Sequence, residues 1–127
     1  MVIGIAIGLI VWMFWSPATQ PSVDVGKQVA EEFLQNVRDG RSDQAWQSTT
    51  AEFKSALGRE KFLQYVKERP YFKKPLSFVS TQTVKLHDQS RSEIVYRTAD
   101  SKATIRLLVG AESGGWHVDR MVVDEAN

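Results

Sequence analysis

Residues 102–109, Lys-Ala-Thr-Ile-Arg-Leu-Leu-Val, decide the fold. Ala103, Ile105, Leu107 and Val109 alternate with Lys102, Thr104 and Arg106, the period-two pattern of a strand with one face buried and the other wet. Working outward, the same period begins at Leu76. It predicts four strands, Leu76–Leu86, Glu93–Thr98, Lys102–Val109 and Gly115–Val123, separated by turn-rich His87–Arg91, Ala99–Ser101 and Glu112–Gly114. Connections this short make neighbours antiparallel, so the second half of the chain is a meander.

Before Leu76 the apolar period is helical. Val25, Val29, Ala30, Phe33, Leu34 and Val37 form one stripe, with Lys27, Glu31, Glu32, Gln35 and Arg38 opposite. Ser22 or Asp24 would cap the start, and Gly40 would take the left-handed position that ends the helix. Ser42 opens a short helix bearing Ala45 and Trp46. Thr49-Thr50-Ala51-Glu52 fits a capping box before Phe53, Ala56 and Leu57, and Gly58 allows a break. Phe62, Leu63 and Val66 then share a stripe that stops before Pro70. Helices first and a curved antiparallel sheet second define an α+β fold.

Upstream, Met1 to Trp15 (MVIGIAIGLIVWMFW) contains no charge, and the first in the chain is Asp24. As a helix this run rises about 22 Å against a hydrocarbon core of about 30 Å, with Ser16 to Thr19 able to lie among headgroups. Trp12, Phe14 and Trp15 gather where a helix would leave the bilayer, and Gly4 and Gly8 are spaced for close packing against a neighbouring helix. The alternative, a cleaved signal peptide, wants a basic start that is missing and a small-x-small site that Ser16-Pro17-Ala18 supplies poorly. The expected plan is a transmembrane anchor at 1–16, a linker at 17–24 and one α+β domain at 25–127. A single-pass protein with its domain outside the cytoplasm, periplasmic in a bacterium, follows.

Composition narrows function. With 16 basic and 15 acidic side chains in 127 residues, the chain lacks the positive field of a nucleic-acid binder. It has no cysteine, which removes disulfides, thiolate zinc sites and cysteine nucleophiles. Two distant histidines with no carboxylate cluster give no expected metal, and no phosphate-cradling glycine loop or nucleophile elbow points to a cofactor or catalytic set. His87 and Asp88 fall in a turn, and His117 and Asp119 alternate out of a face made by Trp116, Val118 and Val122, so all four read as polar surface. On the inward faces, Ser80 and Gln82 beside Phe78 and Val84, Tyr96 and Thr98 beside Ile94, and Arg120 between Val118 and Val122 would line a pocket. An arginine in an apolar stripe needs a partner, an anionic ligand or an internal carboxylate. Arg59, Lys61, Lys67, Arg69, Lys73 and Lys74, against Glu60 and Glu68, form a basic segment suited to anionic lipid or an acidic partner, or to a plain solvated helix face.

The stretch AEEFLQNVRDGRSDQAWQSTTAEFKSALGREKFLQYVKERPYF (30–72), followed by a sheet ending in GGWHVDRMVV (114–123), resembles the nuclear transport factor 2-like superfamily and its small bacterial membrane-tethered members. The shared features are the first helix ending in Arg38-Asp39-Gly40, the Ala45-Trp46 pair, the Phe53, Leu57, Phe62 run and the strand opened by Gly115-Trp116. They concern packing and none is catalytic. The resemblance implies a cone, its sheet wrapped around the first helix and one end open. The expectation is a non-catalytic accessory or assembly subunit that braces other subunits of a membrane complex. Two alternatives stand beside it: a tethered small-molecule binder or cryptic enzyme using Gln82, Tyr96 and Arg120, and a scaffold like the periplasmic part of a type IV secretion inner-membrane subunit.

Overall fold

The computed structural model describes residues 23–86 and 88–126. The expected anchor at 1–16, with Gly4, Gly8, Trp12, Phe14 and Trp15, and most of the expected linker lie outside the described residues. No helix among the described residues is long and apolar enough to cross a membrane.

Helix α1 (Val23–Arg38) starts two residues inside the expected linker, so Asp24 is already in its first turn and does not precede it as a cap. Ala30, Phe33, Leu34 and Val37, at i, i+3, i+4 and i+7, are buried together. Gly26 lies where α1 passes close to the sheet: a β-carbon there would stand 2.8 Å from that of Ser92. At the other end Gly40 has φ +82°, with Arg41 N–H bonded to Asn36 C=O at 2.7 Å and Gly40 N–H to Val37 C=O at 3.2 Å. These paired bonds satisfy carbonyls that a helix end leaves orphaned, as the glycine foretold.

Three short helices follow: α2 (Ser42–Gln47), α3 (Ala51–Ala56) and α4 (Arg59–Lys67), then a 3-10 turn at Pro70–Lys73. The cap of α3 is Thr50, whose Oγ1 accepts from Phe53 N–H at 3.1 Å. The expected box pairs Thr49 with Glu52; in the structure Thr49 instead donates to Trp46 C=O and Glu52 turns to the sheet. Phe33, Phe53 and Phe62 meet ring to ring at centroid distances of 5.8 to 6.1 Å, locking α1, α3 and α4.

The described strands β1 (Ser77–Leu86), β2 (Gln89–Arg97), β3 (Ala103–Glu112) and β4 (Gly115–Glu125) form an open antiparallel sheet in sequence order. The fold is therefore α+β, with helices on one face of the meander. Strand β2 starts at Gln89, earlier than expected, because Leu86 pairs with Gln89 across a two-residue connection with Asp88 at φ +64°. Ser113 and Gly114, at φ +53° and +79°, make a matching tight turn from β3 to β4. Ile94, Tyr96, Ile105, Leu107, Val109 and Val118 meet the helical core residues in one cluster.

Two β-bulges correct the face assignments. In β4 the register with β3 shifts between Leu108 and Val109, leaving Asp119 as the extra residue. Beyond it Met121 and Val123 oppose the buried Leu107 and Ile105, while Arg120 and Val122 turn to the opposite face. Asp119 is accordingly 8% exposed and Val122 41%, the reverse of strict alternation. In β1 the shift falls between Phe78 and Ser80. Phe78, Thr81 and Thr83 oppose Tyr96, Ile94 and Ser92 of the helix-facing side; Ser80, Gln82 and Val84 oppose Val95, Glu93 and Arg91. Ser80 and Gln82 are thus exposed and do not share Phe78's face.

Candidate functional site

Three features stand out: a cleft beside α1, a buried polar clamp on β4, and the uncovered edge strand β1. The cleft, of about 200 Å³, lies between α1, the Pro70–Lys73 turn and β2. Leu34, Phe72, Leu76 and the ring of Tyr96 give it an apolar floor; Glu31, Gln35, Arg38 and Lys74 rim it. Helical spacing of four and three places Glu31, Gln35 and Arg38 along one side of α1. Tyr96 Oη lies 3.4 Å from Glu31 Oε2, and Lys27 Nζ lies 3.5 Å from the same oxygen. Burial, and then the Glu31 carboxylate, pushes the Tyr96 phenol far above the usual tyrosine range, so it stays a neutral donor. The cleft can seat a small apolar body with an anionic end near Arg38 and Lys74.

The clamp joins β2, β4 and α3. Arg91 Nε donates to Asp119 Oδ2 at 2.5 Å, each side chain being 8% exposed. Thr50 Oγ1 donates to Asp119 Oδ1 at 2.7 Å while accepting from Phe53 N–H, and Thr50 N–H binds Val118 C=O at 3.0 Å. One aspartate thus ties the bulge to a helix cap and to a buried guanidinium. The bare Gly110 leaves room for the arginine, since a β-carbon there would sit 3.3 Å from Arg91 Nε. Glu52 stands 3.7 Å from Arg91 and 3.9 Å from Arg120. This is a brace, and its groups are already engaged with one another.

Of the five residues expected to line a pocket, only Tyr96 borders the α1 cleft. Gln82 Nε2 bonds Glu93 Oε1 at 2.8 Å on the opposite face, where Ser80 is exposed. Thr98 organises the β2 to β3 turn, its Oγ1 bonding Asp100 Oδ1 at 2.7 Å and accepting from Ala103 N–H at 3.1 Å. Arg120 lies half-exposed near Glu52. The structure does not bring the five together. Asp119, expected on the surface, is the centre of the clamp, and half-buried His117 has Nδ1 3.0 Å from Ser48 C=O.

In the basic segment, Arg59 pairs with Asp43 at 2.5 Å and Arg69 with Glu125 at 3.0 Å, the latter guanidinium also stacking 3.6 Å above Tyr65. Partners from distant sequence therefore absorb both arginines. Lys61, Lys67, Lys73 and Lys74 are exposed. No group of three or more His, Cys, Asp or Glu among the described residues could hold a metal ion.

Strand β1 is the least covered element. Among its described side chains, residues 77–85, none is buried, and Phe78 and Val79 are 43% and 40% exposed. Among the described residues no strand lies beside its outer edge.

No family model, curated protein or solved structure matches the chain.

Proposed function

We propose that the chain is a membrane-tethered, non-catalytic accessory subunit whose α+β domain docks protein partners along β1, outside the cytoplasm. The observation that carries this reading is the edge strand β1, in which no side chain from 77 to 85 is buried. An open edge offers a row of unpaired backbone N–H and C=O groups, and proteins that do not use such an edge shorten, charge or cover it. The uncharged run from Met1 to Trp15 supports a tether, and the four exposed lysines between 59 and 74 support approach to anionic headgroups. Helices closing over an antiparallel meander fit the cone-like arrangement of the nuclear transport factor 2-like superfamily. Purification of the full chain from its native membrane in mild detergent is expected to yield it with other subunits. Recovery as a lone monomer, or in the aqueous fraction without detergent, would refute the reading.

The α1 cleft favours a second reading, a binding site for a small organic anion. A thermal-shift screen of the full chain in mild detergent with short aromatic and aliphatic carboxylates is expected to show stabilisation that Lys74→Ala weakens. At a hundredfold excess over Kd the stabilisation is about 2.7 kcal/mol. A flat response to every carboxylate removes this reading.

A further inference from the structure

We infer that the partner on β1 is a second copy of this chain, paired antiparallel to form a continuous sheet across a two-fold axis near Gln82; this deepens, and rests on, the docking function proposed above. The sheet has two edges, and among the described residues β1 carries the less obstructed one, its bulge lying near the start of the strand. On β4, the Val118 carbonyl already accepts from Thr50 N–H and the Asp119 bulge breaks the ladder. On β1 nothing caps the edge among the described residues, and Ser77–Leu86 contains no proline and no acid.

The charge pattern chooses the direction, and the self-complementary register chooses the occupant. Lys85 is the strand's one charged residue and lies near its end. Parallel self-pairing would bring it beside its own copy; antiparallel pairing sends it to the neutral, aromatic start of the neighbour. A perpendicular two-fold axis keeps each face of the sheet continuous, so paired residues must share a face. A register centred on Gln82 meets that condition throughout. It sets Thr81 against Thr83 on the helix side, Ser80 against Val84 on the other, and, past the bulge at Val79, Phe78 against Lys85 on the helix side. The centre is then a ladder of hydroxyls with a Gln–Gln pair, and each Lys85 lies opposite Phe78, a ring that Lys27 Nζ of its own chain approaches to 4.6 Å. A pairing of β1 with the neighbour's β4 would not close and would propagate as a filament. One strand pair buries less than a standard interface, so two tethers in one bilayer would supply the effective concentration that completes it.

The absence of cysteine makes the test direct. Gln82→Cys would be the sole thiol, and residues opposite one another in an antiparallel ladder lie within disulfide range. The full chain carrying it, reconstituted dilutely in phosphatidylcholine–phosphatidylglycerol vesicles and oxidised, is expected to form a disulfide-linked dimer. The rate should exceed by at least about tenfold that of Gln47→Cys, an exposed position on α2. Adding Thr83→Lys at an exposed position, which places like charges beside the axis, should return Gln82→Cys to the control rate. Cross-linking of Gln82→Cys no faster than the control would overturn the pairing. A photoreactive residue at position 80, irradiated in native membranes, then separates the two ideas. Adducts only to other proteins would overturn the second copy and leave the docking function standing; no adduct at all would remove both.

Discussion

Asp119→Ala is expected to lower the stability of the folded chain by about 3 kcal/mol, read by urea denaturation of the full chain in mild detergent. The loss has a specific origin. Asp119 accepts from Arg91 and Thr50 with both acidic oxygens, and neither Arg91 nor Asp119 is more than 8% exposed. Removing it leaves a guanidinium inside the protein with Glu52, at 3.7 Å, as a more exposed counter-charge. That residual pair keeps the expected loss at the lower end for a broken buried ion pair. Arg91→Met combined with Asp119→Leu should recover most of the stability, because the charge and its partner leave together and the space is refilled. A double variant as unstable as Asp119→Ala would mean that the bulge geometry, and not charge burial, carries the effect.

Phe62→Ala should cost about 4 kcal/mol, the largest effect expected from a single core truncation here. Phe62 is fully buried, 5.8 Å from the Phe33 ring and 5.9 Å from Phe53, so it fills the junction of α1, α3 and α4. The short helices have little stability of their own, since pieces of six to nine residues do not persist without tertiary contact. The cavity therefore loosens three elements together, and the thermal midpoint should fall by roughly 15 °C or more. Phe62→Leu, which refills most of the space, should cost about 1 kcal/mol. Equal losses for the two variants in a melt followed by circular dichroism would contradict this account.

The two variants also separate the folding of the domain from its proposed docking. Both residues are internal and lie away from β1, so neither should alter partner contacts except through unfolding. Gln82 and Thr83 are exposed on the edge strand, where substitution should leave the melting behaviour nearly unchanged while changing association.

Local patterns were enough for the order and kind of elements. Period-two alternation in Ala103 to Val109 buries the residues that the sequence picks out, and of the helical stripe from Val25 to Val37 the part from Ala30 onward is buried while Val25 is exposed and Val29 half-buried. Gly40 and Pro70 mark their boundaries for reasons of backbone geometry that act within a few residues. The candidate sites were less legible. Arg120 and Ser80 read as inward and Asp119 as outward because alternation assumes an unbroken register, and one inserted residue reverses every side chain beyond it. The bulges carry no local signature in this chain, except that Gly110 leaves the space Arg91 occupies. The α1 cleft unites residues from Glu31 to Tyr96, and no spacing rule spans that distance. By itself, then, the sequence determined which segments are helices and strands and the uncharged character of its first fifteen residues. Only the tertiary structure decided which polar groups are buried, which pair and which edge is open, because those depend on long-range register and on what packs across the sheet.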